Sequence, residues 1–396
     1  MLDRANNAIA QGCLTNSKSP KSLMLGLYPT HIKSAFKAHV WDTNDQRWLD
    51  FICGLGCNFI GYGNDQVSKA IIKHVYSGAS HSLPTIHEVE TAEALKSIFP
   101  FVELFKFTKT GTLACDMAVR IARTYTGREV VLSEGYHGHG DDFVSMTPPA
   151  SGVPKRSWME PLKSDLSNIG SDVAAVIVEP VIVDDSLARI KWLQRLRKEC
   201  DSQGVVLIFD EVITGFRYKK FGVSNCYGVT PDLICIGKAM ANGMPLAAVG
   251  GKRDLMNGDY FISSTYAGDI LSLVACQAVI NTLIKGSDYD HEYLWRMGHA
   301  WISEFNANEA GIKVNGYATR GVFDGDPKHI AMYFQEMGKA NTLFCKSWFF
   351  NWDLAEHTEN VMQITKEVMF KIKEGQVKLE YPLPTTPYAQ KIREMR

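Results

Sequence analysis

Four short apolar runs in this chain end on side chains able to do acid–base or nucleophilic chemistry. EVVLS, from Glu129, leads into Glu134-Gly135-Tyr136-His137-Gly138-His139-Gly140-Asp141-Asp142. VAAVIV, from Val173, leads into Glu179 and Pro180. VVLIF, from Val205, delivers Asp210, Glu211 and Val212, and LICIG, from Leu233, delivers Lys238. A lysine amine held neutral in a desolvated setting attacks carbonyl carbons. Carboxylates and a histidine beside it supply charge and proton transfer. A fifth feature is Thr110-Gly111-Thr112, directly before LACDMAVRIARTYT. A helix starting there offers free N–H groups, two hydroxyls and its positive dipole end to an anion.

Each piece alone has a plainer reading. Asp210 and Glu211 can cap a turn, Lys238 can be a surface cation, Tyr136 can be packing, and Thr110 can be an ordinary N-cap. A P-loop is excluded, because Asp232 and Ala239 stand where it needs a glycine and a Ser or Thr. His137, His139 and Asp141 approach a zinc-binding spacing, but the closing histidine is missing. A zinc site there also leaves Asp210 and Lys238 without a role, so no metal is expected. The convergence of the five pieces carries more than any one of them.

The elements that must hold these residues are legible. The four runs are continuously apolar rather than alternating, as in parallel strands covered on both faces. Helical stretches, VSKAIIKHV from Val67 and the segment after Thr112, intervene. Strands alternating with helices predict an α/β fold with an open, mostly parallel sheet flanked by helices. In such sheets ligands bind beyond the carboxyl ends of the strands. In the helix after Thr112, Leu113, Met117, Ile121 and Tyr125 form a stripe beside Ala114, Ala118 and Ala122, which predicts close packing on a sheet. Gly127 suits its C-cap. The expected division is residues 1–50 as an N-terminal segment packing with the small domain, 51–295 as the large domain, and 296–396 as a smaller C-terminal α/β domain with an extended tail.

Composition bounds the function. The chain has 396 residues, 45% of them hydrophobic, enough for two to three domains at about 150 residues each. Lysine and arginine total 42 against 43 acids, a net charge of −1 that gives no reason to expect a nucleic acid partner. Nine cysteines, an odd number, suit free thiols in a reducing compartment rather than a disulfide framework. The opening MLDRANNAIAQGCLTNSKSP lacks the apolar run of a secretory signal, and no stretch is apolar enough for a membrane span. A cytoplasmic protein is expected.

Together the strand-end residues describe a site for pyridoxal 5′-phosphate (PLP). Gly111 and Thr112 would cradle the phosphate. Lys238 would hold the aldehyde as a Schiff base, and Asp210 would keep the pyridine nitrogen protonated so that the ring accepts electrons. Tyr136 would stack on one ring face and Val212 on the other, with His137 and Glu179 completing the cofactor contacts.

The sequence resembles the class III aminotransferases of fold type I, most of all the glutamate-1-semialdehyde aminomutase branch. The resemblance runs through TGREVVLSEGYHGHGDD, AAVIVEP, VLIFDEVITGFR and GVTPDLICIGKAMANGMPLAAVGGKRDLM. It implies a Schiff-base Lys238 that also shuttles the substrate proton, and Asp210 on the ring nitrogen. It further implies that Thr265 reaches the phosphate of a neighbouring subunit, hence a homodimer with active sites at the interface. The departures concern substrate. The usual Ser-Gly-Thr-Glu-Ala turn reads Thr110-Gly111-Thr112-Leu113-Ala114, and Ile213 replaces a glutamine of many members. The aminomutases have Ser-Trp where Gly54-Leu55 stands and Asn where Asp184 stands. Their N-terminal substrate-gripping arginine has no counterpart, since no arginine lies between Arg4 and Arg47; Arg217 and Arg320 are the other candidates. The aromatic run Trp348-Phe349-Phe350-Asn351-Trp352 replaces their acidic C-terminal segment. It reads as domain packing, or else as the wall of a pocket for a bulky substrate. The expectation is an aminotransferase for small-molecule amine and carbonyl substrates, with an intramolecular 2,1-aminomutase as the alternative. An inactive scaffold fits less well, because it has no need for Lys238.

Overall fold

A computed structural model describes residues 1–146, 150–154, 158–286 and 289–385. The end of the proline-bearing tail, residues 386–396, lies outside the described residues. Among those described, the chain divides into two compact units, Asp65–Gly286 and, apart from it, Met1–Asn64 with residues 289–385.

The first of these is built on a seven-stranded sheet formed by β1 (Leu104–Thr108), β2 (Val130–Glu134), β3 (Met159–Pro161), β4 (Val173–Val178), β5 (Val206–Glu211), β6 (Leu233–Ile236) and β7 (Ala247–Gly251). The order across the sheet is β1-β7-β6-β5-β4-β2-β3. β7 runs antiparallel to both neighbours, and the remaining pairings are parallel. Every residue of β4, β5, β6 and β7 is buried. That explains the unbroken apolar runs, since each fully buried Val, Leu or Ile contributes about 1.5–3 kcal/mol.

Helix α1 (Gly111–Thr126) packs on this sheet through Ala114, Cys115, Met117, Ala118, Ile121 and Ala122. Its small side chains let the helix sit close to the strands. Thr110 caps its start, accepting the Leu113 N–H at 3.2 Å, and Gly127 ends it with φ 67°. The stripe read from sequence holds at Met117 and Ile121, while Leu113 and Tyr125 are exposed. A four-residue spacing drifts by about 40° per step on a 3.6-residue turn, which carries Leu113 off the buried face. Tyr125 sits in the last turn, just before Gly127. Helices α2 (Leu187–Gln203) and α3 (Ile270–Lys285) complete the elements used below.

The other unit carries two small sheets. Strands Ile32–Phe36, His39–Asp42 and Arg47–Asp50 form an antiparallel meander, with Thr342–Leu343 parallel at its edge. Ile312–Tyr317, Arg320–Gly325 and Ser347–Phe349 form the second. The aromatic run is core packing here: Trp348 and Phe350 are fully buried, and Trp348 meets Trp301 edge-on at 4.9 Å.

Candidate active site

Because β2, β4, β5 and β6 run parallel, their carboxyl ends share one rim of the sheet. Tyr136 and His137 follow β2, Glu179 follows β4, Asp210 and Glu211 end β5, and Lys238 follows β6 by two residues. β1 ends at the same rim, where Thr108 pairs with Ala247 and the chain turns through Thr110 into α1.

Asp210 is the centre of the arrangement. Its Oδ2 accepts a hydrogen bond from His137 Nδ1 at 2.8 Å, and its Oδ1 accepts the Val212 N–H at 3.0 Å. Both side chains are buried. The thiol of Cys115, from α1, lies with these two groups in a cluster whose ligand-capable atoms are within 4.8 Å of one another. Burial, reinforced by the neighbouring Cys235 thiol, pushes the Cys115 thiol well above its ordinary range, so it stays protonated. A 2.8 Å separation is that of a hydrogen bond, shorter than the roughly 3.3 Å between ligand atoms 2.0–2.1 Å from a tetrahedral zinc. The zinc-like spacing of the sequence is split as well: His137 is buried on Asp210, while His139 is exposed and gives its N–H to Thr112 Oγ1 at 3.3 Å. Glu211 is a capping residue. It accepts the Thr214 hydroxyl at 2.8 Å and the amides of Val223 and Ser224 at 2.7 and 2.8 Å.

Tyr136 and His137 sit between Gly135 and Gly138, whose φ angles are 119° and 111°. Glu179 Oε1 accepts the Tyr136 N–H at 2.8 Å. A Cβ on Gly138 would stand 2.2 Å from Thr112 Oγ1, and one on Gly111 would stand 2.7 Å from Val212 Cγ1. The Thr110–Thr112 turn, Val212 and the Tyr136 loop are therefore in close contact.

Lys238 is half-buried and has φ 43°, a left-handed conformation uncommon for a residue with a side chain. It opens a short 3₁₀ turn, Lys238–Ala241, directly after the extended Gly237. Its strand pairs Cys235 with Asp210 and Ile236 with Glu211, so lysine and aspartate leave adjacent strands at one level of the rim. Thr265 is exposed, in a turn shortly before Asp269, whose carboxylate pairs with Lys109.

Three features of the rim escaped the sequence. Cys115 sits on the buried side of α1 and looks there like any small apolar residue. Lys109 and Asp269 join the Thr110 turn to the Thr265 loop across 160 residues of chain. Arg189, in α2, grips Glu134 with both guanidinium arms. Only the opposite charges could have hinted at the last two pairs, and charge alone does not choose among the 42 cations present.

The donor set fits PLP. The two hydroxyls and first-turn amides at Thr110–Thr112 suit a phosphate. Asp210, held by His137 and the Val212 amide, offers a buried negative charge to a protonated ring nitrogen. His137 Nε2 is buried with no hydrogen-bond partner, as in a site whose remaining polar contacts come from a ligand.

Known proteins agree with this geometry. The family model described as aminotransferase class-III matches residues 26–158 and 153–292. The glutamate-1-semialdehyde 2,1-aminomutase of Syntrophobacter fumaroxidans is 30% identical over 378 residues, 84% of this chain and 87% of its own. That of Desulfotalea psychrophila is 35% identical over 303 residues, 69% and 70% of the two chains. Among solved structures, the PLP internal aldimine form of the FumI protein from Sphingopyxis sp. MTA144 superposes with a TM-score of 0.86 at 23% identity, covering 96% of this chain and 97% of that one. The fold is that of the fold type I transaminases, and the chain belongs to the class-III aminotransferase family.

Proposed function

We propose that this enzyme transfers an amino group from an amine donor to a separate carbonyl acceptor, with PLP held at Lys238 as the carrier. When bound, PLP supplies an aldehyde that takes up the amino group and a ring that accepts electrons when the substrate loses a proton. The chain's own groups do the rest. The Lys238 amine is the nucleophile toward the aldehyde and, once released, removes and returns the proton at the substrate carbon. Asp210 holds the ring nitrogen protonated. His137, donating through Nδ1, orients that carboxylate. Thr112 and the amides of the Gly111 turn would hold the phosphate, and Tyr136, aligned by Glu179, and Val212 would flank the ring.

The observation that carries intermolecular transfer is the missing carboxylate clamp. No arginine lies between Arg4 and Arg47, and Arg217 and Arg320 are fully buried, each inside its own unit. An aminomutase must grip one small amino acid through both half-reactions, for which a bidentate arginine is the natural device. The test is to supply a panel of amine donors to purified holoenzyme. Conversion of the cofactor to its amine form, with one equivalent of carbonyl product released, supports the proposal. Conversion of glutamate 1-semialdehyde to its isomer with no donor consumed contradicts it. This second reading draws its support from the names of the curated relatives.

The working form in this reading is a homodimer, Thr265 of each protomer serving the phosphate of the other. Its support is the set of large apolar side chains left exposed on the Asp65–Gly286 unit, Tyr76, Leu83, Ile86, Phe261 and Tyr266 among them. Covering such side chains is what a protein partner offers. No helix among the described residues is long and apolar enough to cross a membrane, and the nine cysteines are free thiols. Both observations suit work in the reducing cytoplasm.

A further inference from the structure

We propose that Arg189 is a positioning residue for the cofactor, clamping the Tyr136–His137 loop to the end of β4; this rests on the reading of those two residues as cofactor contacts. Arg189 lies in the first turn of α2, where Ser186 is the N-cap. Its Nη1 and Nη2 donate to Glu134 Oε1 and Oε2 at 3.0 and 2.9 Å, a two-armed pair. Its Nε donates to the Pro180 carbonyl at 2.9 Å, and Nη2 also donates to the Glu179 carbonyl at 3.0 Å. The guanidinium lies over the Trp192 ring, 4.2 Å from its centre.

One side chain thus ties the residue that opens the Tyr136 loop to the two residues that close β4. Glu179 then passes the constraint on, because its carboxylate accepts the Tyr136 amide. The loop needs such anchors. Gly135 and Gly138 bracket Tyr136 and His137 with left-handed φ angles, and glycine costs little to rotate. The far end of the loop is held by the His139 N–H on Thr112 Oγ1, and Arg189 fixes the near end.

The placement of the arginine argues for a role beyond the helix. A cation in the first turn of a helix opposes the helix dipole, so its charge is satisfied by Glu134 and the two carbonyls rather than by α2 itself. The Arg189 and Glu134 side chains are only 12% and 17% exposed. A pair so far removed from water depends on both partners being present. Lysine cannot reproduce the fork, which needs a planar set of N–H groups.

The test uses the full chain with Arg189→Met, Arg189→Lys, Glu134→Gln and Tyr136→Ala. Three quantities are read: PLP affinity of the apoprotein, visible circular dichroism of the bound cofactor, which reports ring orientation, and melting of the apoprotein. Arg189→Met is expected to weaken PLP binding roughly tenfold or more and to shrink the dichroism, alongside a lower melting temperature of the apoprotein because Glu134 loses its partner; a purely structural role would lower melting and leave the dichroism of the folded, PLP-saturated protein unchanged. Arg189→Lys should fall between, and Glu134→Gln should shift binding in the same direction. Binding within about twofold of wild type and unchanged dichroism in both Arg189→Met and Glu134→Gln overturn the proposal. If Arg189→Met fails to fold, the near-isosteric Glu134→Gln decides alone. Tyr136→Ala separates the two levels. If it weakens binding while the clamp variants do not, the clamp is wrong; if it changes nothing, the assignment of Tyr136 to the cofactor is wrong.

Discussion

His137 Nδ1 lies 2.8 Å from Asp210 Oδ2, with both side chains buried at the carboxyl rim of the sheet. The carboxylate is thus fixed from both sides, Oδ2 by the imidazole and Oδ1 by the Val212 amide. His137→Ala removes one hydrogen bond to a charged group, worth about 1.5–3 kcal/mol. Turnover should fall by roughly ten- to hundredfold, with a smaller loss in the thermal stability of the apoprotein. Asp210→Asn should cost more, since it removes the charge itself. Steady-state kinetics of the two variants and of the double variant check this, and the double variant should be little worse than Asp210→Asn alone.

Glu211 adjoins Asp210 in sequence but should behave differently. It accepts three hydrogen bonds, from Thr214, Val223 and Ser224, and burial pushes its carboxyl up despite them. Glu211→Ala strands buried donors, which costs on the order of 3 kcal/mol or more. The melting temperature should drop by about 5–10 °C, while the folded fraction keeps its cofactor colour. Loss of colour at unchanged melting temperature would contradict the capping role.

The close approach of the Tyr136 loop to the Thr110–Thr112 turn gives a steric prediction. A Cβ at Gly138 would stand 2.2 Å from Thr112 Oγ1 and 2.7 Å from Thr112 Cα, at a φ of 111°. Backbone cannot yield as a flexible side chain can. Gly138→Ala should therefore lower stability by about 1–3 kcal/mol and weaken PLP retention more than Gly127→Ala, where nothing lies within 4 Å of the added carbon. Chemical denaturation and cofactor titration of both variants check it.

Asp116 supplies a pH dependence. Burial first, then the charges of Asp142 and Asp141, raise its carboxyl from 3.8 to about 6, while Arg120 and His139 oppose the rise. The folded protein thus binds this proton more tightly than the unfolded chain. Its contribution is fully present below the unfolded value and is lost as pH rises through the folded one. Asp116→Asn should consequently be more stabilising, relative to wild type, at pH 7.5 than at pH 4.5. Melting curves at the two values decide, and an unchanged difference would contradict the assignment.

Much of the fold was legible because burial on both faces leaves a plain mark: β4 and β6 are apolar throughout and β5 is apolar up to Asp210, and parallel strands must then present their ends together. Thr110 and Gly127 were legible for a local reason, since caps are set by backbone geometry within one turn. The His137–Asp210 hydrogen bond was not, because the two residues are 73 positions apart and join only once β2 and β5 are ordered across the sheet. The Arg189–Glu134 clamp was hidden for the same reason. Aromatic composition near Trp348 allowed both a pocket wall and a core; full burial against Trp301 places it in the core. Substrate preference left no comparable mark, since it is read here through a missing arginine rather than through groups that are present.

The proposed amino transfer depends most directly on the amine of Lys238. Borohydride reduction of the PLP-reconstituted protein, followed by peptide mapping, should fix the cofactor to a single peptide at Lys238, and Lys238→Ala should remain colourless while folding normally. A cofactor fixed to another lysine, or a protein that stays colourless after reconstitution, would contradict it.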